Sequence, residues 1–182
     1  MVAERKGSGF TFRPVNYERL KDVASIFGTT MVTKGRSQPD KPVPLTEPKR
    51  VVPNSGGGSC LFKVLSWFIS GVESNRKIIR DKVVNYMSEE IAASLSEYLG
   101  QHTKQYLDAS TMAGYAAWAT DAEIYASASL LSTDIYLCFL NVRFARPKGE
   151  FKASTFGQTK FEQALYINHA NEDHYEAVLS VF

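Results

Sequence analysis

The chain has 182 residues, 44% hydrophobic and 22% charged, with a formal net charge of +2. That length supplies one domain with a sizeable core, or one domain plus an extension. No apolar stretch reaches the roughly 18 residues of a membrane span, and the first residues, Met-Val-Ala-Glu-Arg-Lys-Gly, lack the apolar core of a signal peptide.

The charge is unevenly placed. Residues 1–50 hold ten Lys/Arg against five Asp/Glu, net +5, and residues 51–182 hold eleven against fourteen, net −3. The larger part is therefore mildly acidic, which suits a cationic partner better than nucleic acid. The only cysteines are Cys60 and Cys138. Two cysteines in a chain of this size do not make a disulfide framework, and no Asn-x-Ser/Thr acceptor occurs. A reducing, cytoplasmic compartment is expected.

Six of the seven prolines lie in residues 1–53. Tyr17, Leu20, Val23 and Ala24 have helical spacing, which predicts a short helix from Asn16 to Ile26. Residues 33–53 are polar, basic and proline-rich, and read as an extended arm or linker. The expected division is a basic arm over 1–50 and a folded domain over 51–182.

Asn54-Ser55-Gly56-Gly57-Gly58-Ser59-Cys60 then leads into an apolar run with Leu61, Val64, Leu65 and Phe68 on one helical face. Cys60 is expected at the start of that helix. The N–H groups and positive dipole end there favour an anion, and a thiolate is one, so the position is predicted to lower the cysteine pKa. The loop amides are candidates to hold an oxyanion. Read alone, the same stretch also fits a glycine turn before a core helix.

Ser74 is predicted to cap the next helix, with Ile78 or Ile79, Val83, and Tyr86 or Met87 as its stripe. Residues 95–107 are amphipathic and partly helical, with His102 on the surface. Thr120-Asp121-Ala122-Glu123 has the form of a capping box and starts an alanine-rich helix, with Trp118 as a staple onto the core. Residues 135–140 are apolar on both faces, as in a central strand. Residues 142–157 read as a basic loop or hairpin, 164–167 as a strand, 168–173 as a polar turn, and 174–181 as a final strand. Helices precede strands, so the fold class is α+β, with a small mixed sheet packed between helices.

Along the last strand, Tyr175, Ala177, Leu179 and Val181 share one face, and His174, Glu176, Val178 and Ser180 the other. A carboxylate two positions from an imidazole can fix its tautomer and leave the second ring nitrogen free to take a proton. With a helix-start cysteine, this makes a Cys-His-acid triad in kind. An exposed His–Glu pair at a strand edge is the alternative. Competing chemistries are thinner. No metal-ligand spacing such as Cys-x-x-Cys occurs, the glycine loop lacks the Gly-Lys-Ser/Thr of a phosphate loop, and the basic residues do not alternate with aromatics as in an RNA-binding sheet.

Three motifs in order resemble one family. Gly57-Gly58-Ser59-Cys60-Leu61-Phe62, then Trp118 with Glu123, Ile124 and Ala126, then Ile167-Asn168 and His174-Tyr175-Glu176-Ala177-Val178 are similar to the ovarian-tumour (OTU) cysteine proteases, over roughly Val52 to Phe182. The resemblance implies a papain-type fold and a deubiquitinase with no cofactor or metal. Cys60 would be the nucleophile and His174 the general base. The amides of Gly57, Gly58 and Cys60 would form the oxyanion hole, and Glu176 would orient His174. Asn171, Asp173 or Asn168 are the alternatives for that third role. The family usually has Asp where Gly57 stands, and Asp or Asn where Glu176 stands. The implied partner is ubiquitin or a ubiquitin-like protein, with no nucleic acid and no membrane. A catalytically weak ubiquitin-binding module is the alternative, as is a polyprotein-processing protease of a virus or mobile element, which would act in a host cytosol.

Overall fold

The computed structural model describes residues 3–6, 10–30, 41–140, 151–156, 163–170 and 174–182. Among these, six helices stand on a mixed six-stranded sheet. The helices are α1 (Tyr17–Ile26), α2 (Cys60–Ser70), α3 (Arg76–Glu89), α4 (Ala92–Leu99), α5 (Thr103–Ser110) and α6 (Asp121–Leu131). The strands are β1 (Ala3–Lys6), β2 (Thr11–Phe12), β3 (Val43–Pro44), β4 (Pro48–Val52), β5 (Asp134–Leu140), β6 (Phe151–Phe156), β7 (Ala164–Ala170) and β8 (His174–Val181). The sheet runs β1-β6-β5-β7-β8-β4, with β5 and β7 parallel and every other pair antiparallel. Strands β2 and β3 pair separately. This is the expected α+β class.

α2 organises the core. Leu61, Phe62, Val64, Leu65, Phe68 and Ile69 are all buried, and only Trp67 of the helix is partly open. A helix apolar on all sides must be surrounded, and α2 packs against β8, α1 and α3. Its two hydroxyls are satisfied within the fold: Ser66 Oγ donates to the Val72 carbonyl at 2.6 Å and Ser70 Oγ to the Ser66 carbonyl at 2.8 Å. Gly71, at φ 79°, ends the helix in the left-handed conformation that glycine adopts without a Cβ penalty.

Alternation along the central strands divides the interior into two clusters. Ile135, Leu137, Leu165, Ile167, Tyr175 and Ala177 face the helices. Cys138, Ala164, Tyr166 and Val178 face the other way, where Phe12 and Leu45 cover them. Tyr166 is the hinge of that second layer. Its ring lies 4.5 Å from that of Phe12, and its hydroxyl donates to the Thr11 carbonyl at 2.7 Å while accepting from the Arg13 N–H at 2.8 Å. Cys138 is the core residue expected, and burial pushes its thiol up to about 12.

Several local expectations change. Residues 48–52, read as arm, form the edge strand β4 against β8, because Val51 and Val52 have a sheet edge to join. Asn75 rather than Ser74 precedes α3, and it makes no side-chain capping bond. Trp118 is 51% exposed and is not a staple. Strand β7 runs on through Asn168 to Ala170, since each of these residues has a partner on β8. Residues 142–150 and 157 of the expected basic loop lie outside the described residues, and 151–156 form β6.

Candidate active site

Cys60 is the first residue of α2 and is buried. The turn before it closes with the Cys60 N–H donated to the Gly57 carbonyl at 3.0 Å. Gly56 and Gly57 hold φ of 67° and 80°, which side chains rarely adopt. Gly58 has a different constraint: a Cβ there would collide with the Ala116 carbonyl.

The loop is braced at four points by residues to which the sequence reading gave no role. Asn54 Nδ2 donates to the Tyr175 carbonyl at 2.6 Å, and its Oδ1 accepts from the Gly56 N–H at 2.8 Å, so one side chain ties the glycine loop to the start of β8. Lys63, one turn into α2, reaches back to the Ser55 hydroxyl at 2.7 Å and the Gly56 carbonyl at 2.6 Å. Ser59 Oγ donates to the Tyr115 carbonyl at 2.7 Å. Arg80, only 1% exposed, donates to the carbonyls of Gly58 and Ala117, each at 3.1 Å, and to that of Met112 at 2.9 Å. Its guanidinium also stacks 4.2 Å from the Phe62 ring centroid. Burial lowers the Arg80 pKa from its ordinary value, and the charges of Glu123 and Asp81 pull it back. The one legible signal was a charged residue, Arg80, beside the apolar stripe of α3.

His174 opens β8 and is half-buried. Its ring lies over the loop: a Cβ on Gly56 would stand 3.9 Å from His174 Cε1 and 4.0 Å from Nδ1. The Cys60 thiol sits near the same strand start, close enough for the Tyr175 backbone to draw its pKa down. The predicted fall in its pKa is reversed. Burial pushes the thiol above its ordinary value, more than the N–H groups of Tyr175, Leu61 and Cys60 and the Lys63 charge pull it down. A helix N-terminus favours a thiolate, but desolvation penalises it more here.

Glu176 and Asn168 face each other across the β7–β8 pair, and Asn168 Nδ2 donates to Glu176 Oε2 at 2.9 Å. The hydrogen bond that Glu176 makes thus goes to Asn168. Among the described residues, Asn168 Oδ1 is buried with no hydrogen-bond partner. Both residues share the His174 face by alternation. Asn171 and Asp173 lie outside the described residues. The middle motif serves α6 instead of the thiol. Glu123 is fully buried, accepts from the Thr120 N–H at 2.7 Å and from the Tyr106 hydroxyl at 3.0 Å, and completes the capping box. His102 is exposed at the start of α5, beside an open groove of about 1170 Å³ that is lined by α3, α4 and α5 and shares no residue with the Cys60 loop.

A thiol on a braced helix start, an imidazole on the adjoining strand start and backbone donors between them form the layout of a papain-type thiol hydrolase. The OTU-like cysteine protease family matches residues 55–175, and the chain belongs to that family. Among solved structures, the chain is similar to the viral OTU protease of Dera Ghazi Khan virus, at 18% identity and TM-score 0.59, covering 73% of this chain and 81% of that one. It is also similar to the OTU domain of OTUD1, at 18% identity and TM-score 0.58, covering 73% and 85%. The Hazara virus OTU, solved bound to ubiquitin, matches at 16% identity and TM-score 0.56, covering 72% and 82%. No curated protein matches the chain.

Proposed function

We propose that this chain is a thiol isopeptidase that cleaves ubiquitin or ubiquitin-like conjugates at the C-terminal glycine carbonyl, in the cytoplasm or in a host cytosol. The observation that carries the reading is the Cys60 loop, which Asn54 ties to the strand that begins with His174. Cys60 is the nucleophile and His174 its base. Burial keeps the resting thiol protonated, so attack waits for proton transfer to His174. The sulfur then bonds to the glycine carbonyl carbon, and the carbonyl becomes an oxyanion facing the turn amides. His174 returns the proton to the leaving lysine amine. Water, deprotonated by His174, hydrolyses the thioester and frees Cys60. The Asn168–Glu176 pair orients the imidazole. A loop of glycines without side chains beside the thiol suits the slim Gly-Gly end of such a substrate.

The test is incubation with ubiquitin that carries a C-terminal electrophile, with Cys60→Ala as the control. An adduct that depends on Cys60 is the expected result. Binding without an adduct would assign a recognition module instead, and neither binding nor adduct would remove ubiquitin as the substrate.

A further inference from the structure

Arg80 is a buried cation whose hydrogen bonds, among the described residues, all end on neutral acceptors: the Met112 carbonyl and sulfur, the Gly58 carbonyl, the Ser59 hydroxyl and the Ala117 carbonyl. A buried guanidinium without a carboxylate partner is costly. Its forked, rigid donors are suited to fixing the direction of several carbonyls at once.

What it fixes is the peptide just before the nucleophile. The bond from the Cys60 N–H to the Gly57 carbonyl closes a four-residue turn. Ser59, at φ −97° and ψ 8°, has the third-position dihedrals of a type I turn. The central peptide of that turn joins the Gly58 carbonyl to the Ser59 N–H. In a planar trans peptide these two groups point in opposite directions. Arg80 Nη2 holds the Gly58 carbonyl inside the protein at 3.1 Å. The Ser59 N–H therefore faces the outer side of the turn. The flipped alternative, type II, needs a positive φ at Ser59, which glycine accepts and serine resists. The same Nη2 also holds the Ser59 hydroxyl and the Ala117 carbonyl, each at 3.1 Å, so the 112–117 segment is locked onto the turn from behind.

We propose that Arg80 is a positioning residue: it fixes the 58–59 peptide so that the Ser59 N–H stands as a donor for the oxyanion formed at Cys60. This adds Ser59 to the donor set expected from the motif, Gly57, Gly58 and Cys60, of which the Cys60 N–H is already committed to Gly57. The proposal rests on Cys60 as the nucleophile but not on ubiquitin as the substrate.

Two reactions of one thiol test it. In acylation by p-nitrophenyl acetate, sulfur bonds to the acetyl carbon through an oxyanion and nitrophenolate leaves. In alkylation by iodoacetamide, sulfur displaces iodide and no oxyanion forms. Arg80→Lys should slow Cys60 acylation about 100-fold, the scale of losing one oxyanion donor, while alkylation keeps the wild-type rate. Equal slowing of both reactions, or no slowing of acylation, overturns the proposal. So does a wild-type protein whose Cys60 is not acylated by the ester at all. A wild type that reacts with the ester but with no ubiquitin derivative removes the proposed substrate and leaves Arg80 testable. Should Arg80→Lys fail to melt cooperatively, Ser59→Ala, which removes one of the Arg80 anchors, must show the same split at smaller size, and the absence of that split overturns the proposal.

Discussion

Gly57 and Gly58 are neighbours with opposite requirements. Gly57 holds φ 80° with nothing within 4 Å of where a Cβ would stand, whereas a Cβ on Gly58 would strike the Ala116 carbonyl. The Cβ of the family's usual Asp at position 57 would thus meet no neighbour, and in this chain bracing falls to Asn54, Lys63 and Arg80. Gly57→Asp should cost about 1–2 kcal/mol of stability, the left-handed penalty, and leave turnover intact. Gly58→Ala must displace the 115–117 segment, and a shift of about 1 Å at such a site costs about 100-fold in turnover. Paired melting curves and turnover assays check both. If Gly57→Asp is the more damaging to turnover, the bracing is assigned wrongly. The Asn168–Glu176 bond leads to a second test at this scale. Asn168→Ala and Glu176→Ala should each lower kcat by about 100-fold, and the double variant should be no worse than the worse single, as for residues that act as a unit. Additive losses would separate the two residues. A loss confined to Asn171→Ala or Asp173→Ala would move the orienting role there.

At the scale of elements, α2, α3 and β5 were legible because apolar residues mark each of them: a stripe on α3, every side of α2 and both faces of β5. The spacing of Leu61, Val64, Leu65 and Phe68 placed α2, and the Thr120–Glu123 box placed α6. The choice between Ile78 and Ile79 was open, since adjacent residues differ by only a fraction of a helical turn. The fold decides it: Ile79 is fully buried and Ile78 is 41% exposed. Ile79→Ala should therefore cost about 2–5 kcal/mol, and Ile78→Ala should stay within about 0.5 kcal/mol as a surface change, both measured by urea denaturation. Comparable losses would mean that α3 is rotated from the described position. Contacts between distant segments were not legible. Nothing local tells that Asn54 reaches the Tyr175 carbonyl, that Arg80 spans from Gly58 to Met112, or that Trp118 is left open. Those are tertiary facts, and the branches that carry the site are of this kind.

Across the whole molecule, the sheet joins two packed layers. One holds α2 and the thiol. The other is closed by Phe12 and Leu45, which come from the proline-rich first fifty residues. The arm reading undervalued those residues because their apolar positions are few and widely spaced, so no period marks them. Arg13 and Val15 extend the tie, through the Tyr166 hydroxyl and the Ala164 carbonyl. This arrangement bears on the boundary expected at residue 50. If the first segment is built into the fold, unfolding is a single cooperative transition. Phe12→Ala then lowers the midpoint of that one transition by the equivalent of about 3–5 kcal/mol, and the denaturant slope stays unchanged. Cys60 acylation below the midpoint keeps its wild-type rate, because Phe12 packs in the cluster of Leu45, Tyr166 and Val178, which holds no residue of the Cys60 loop. A separate early transition in Phe12→Ala, with the second midpoint unmoved, would instead show the first fifty residues as a unit that docks on an independently stable domain.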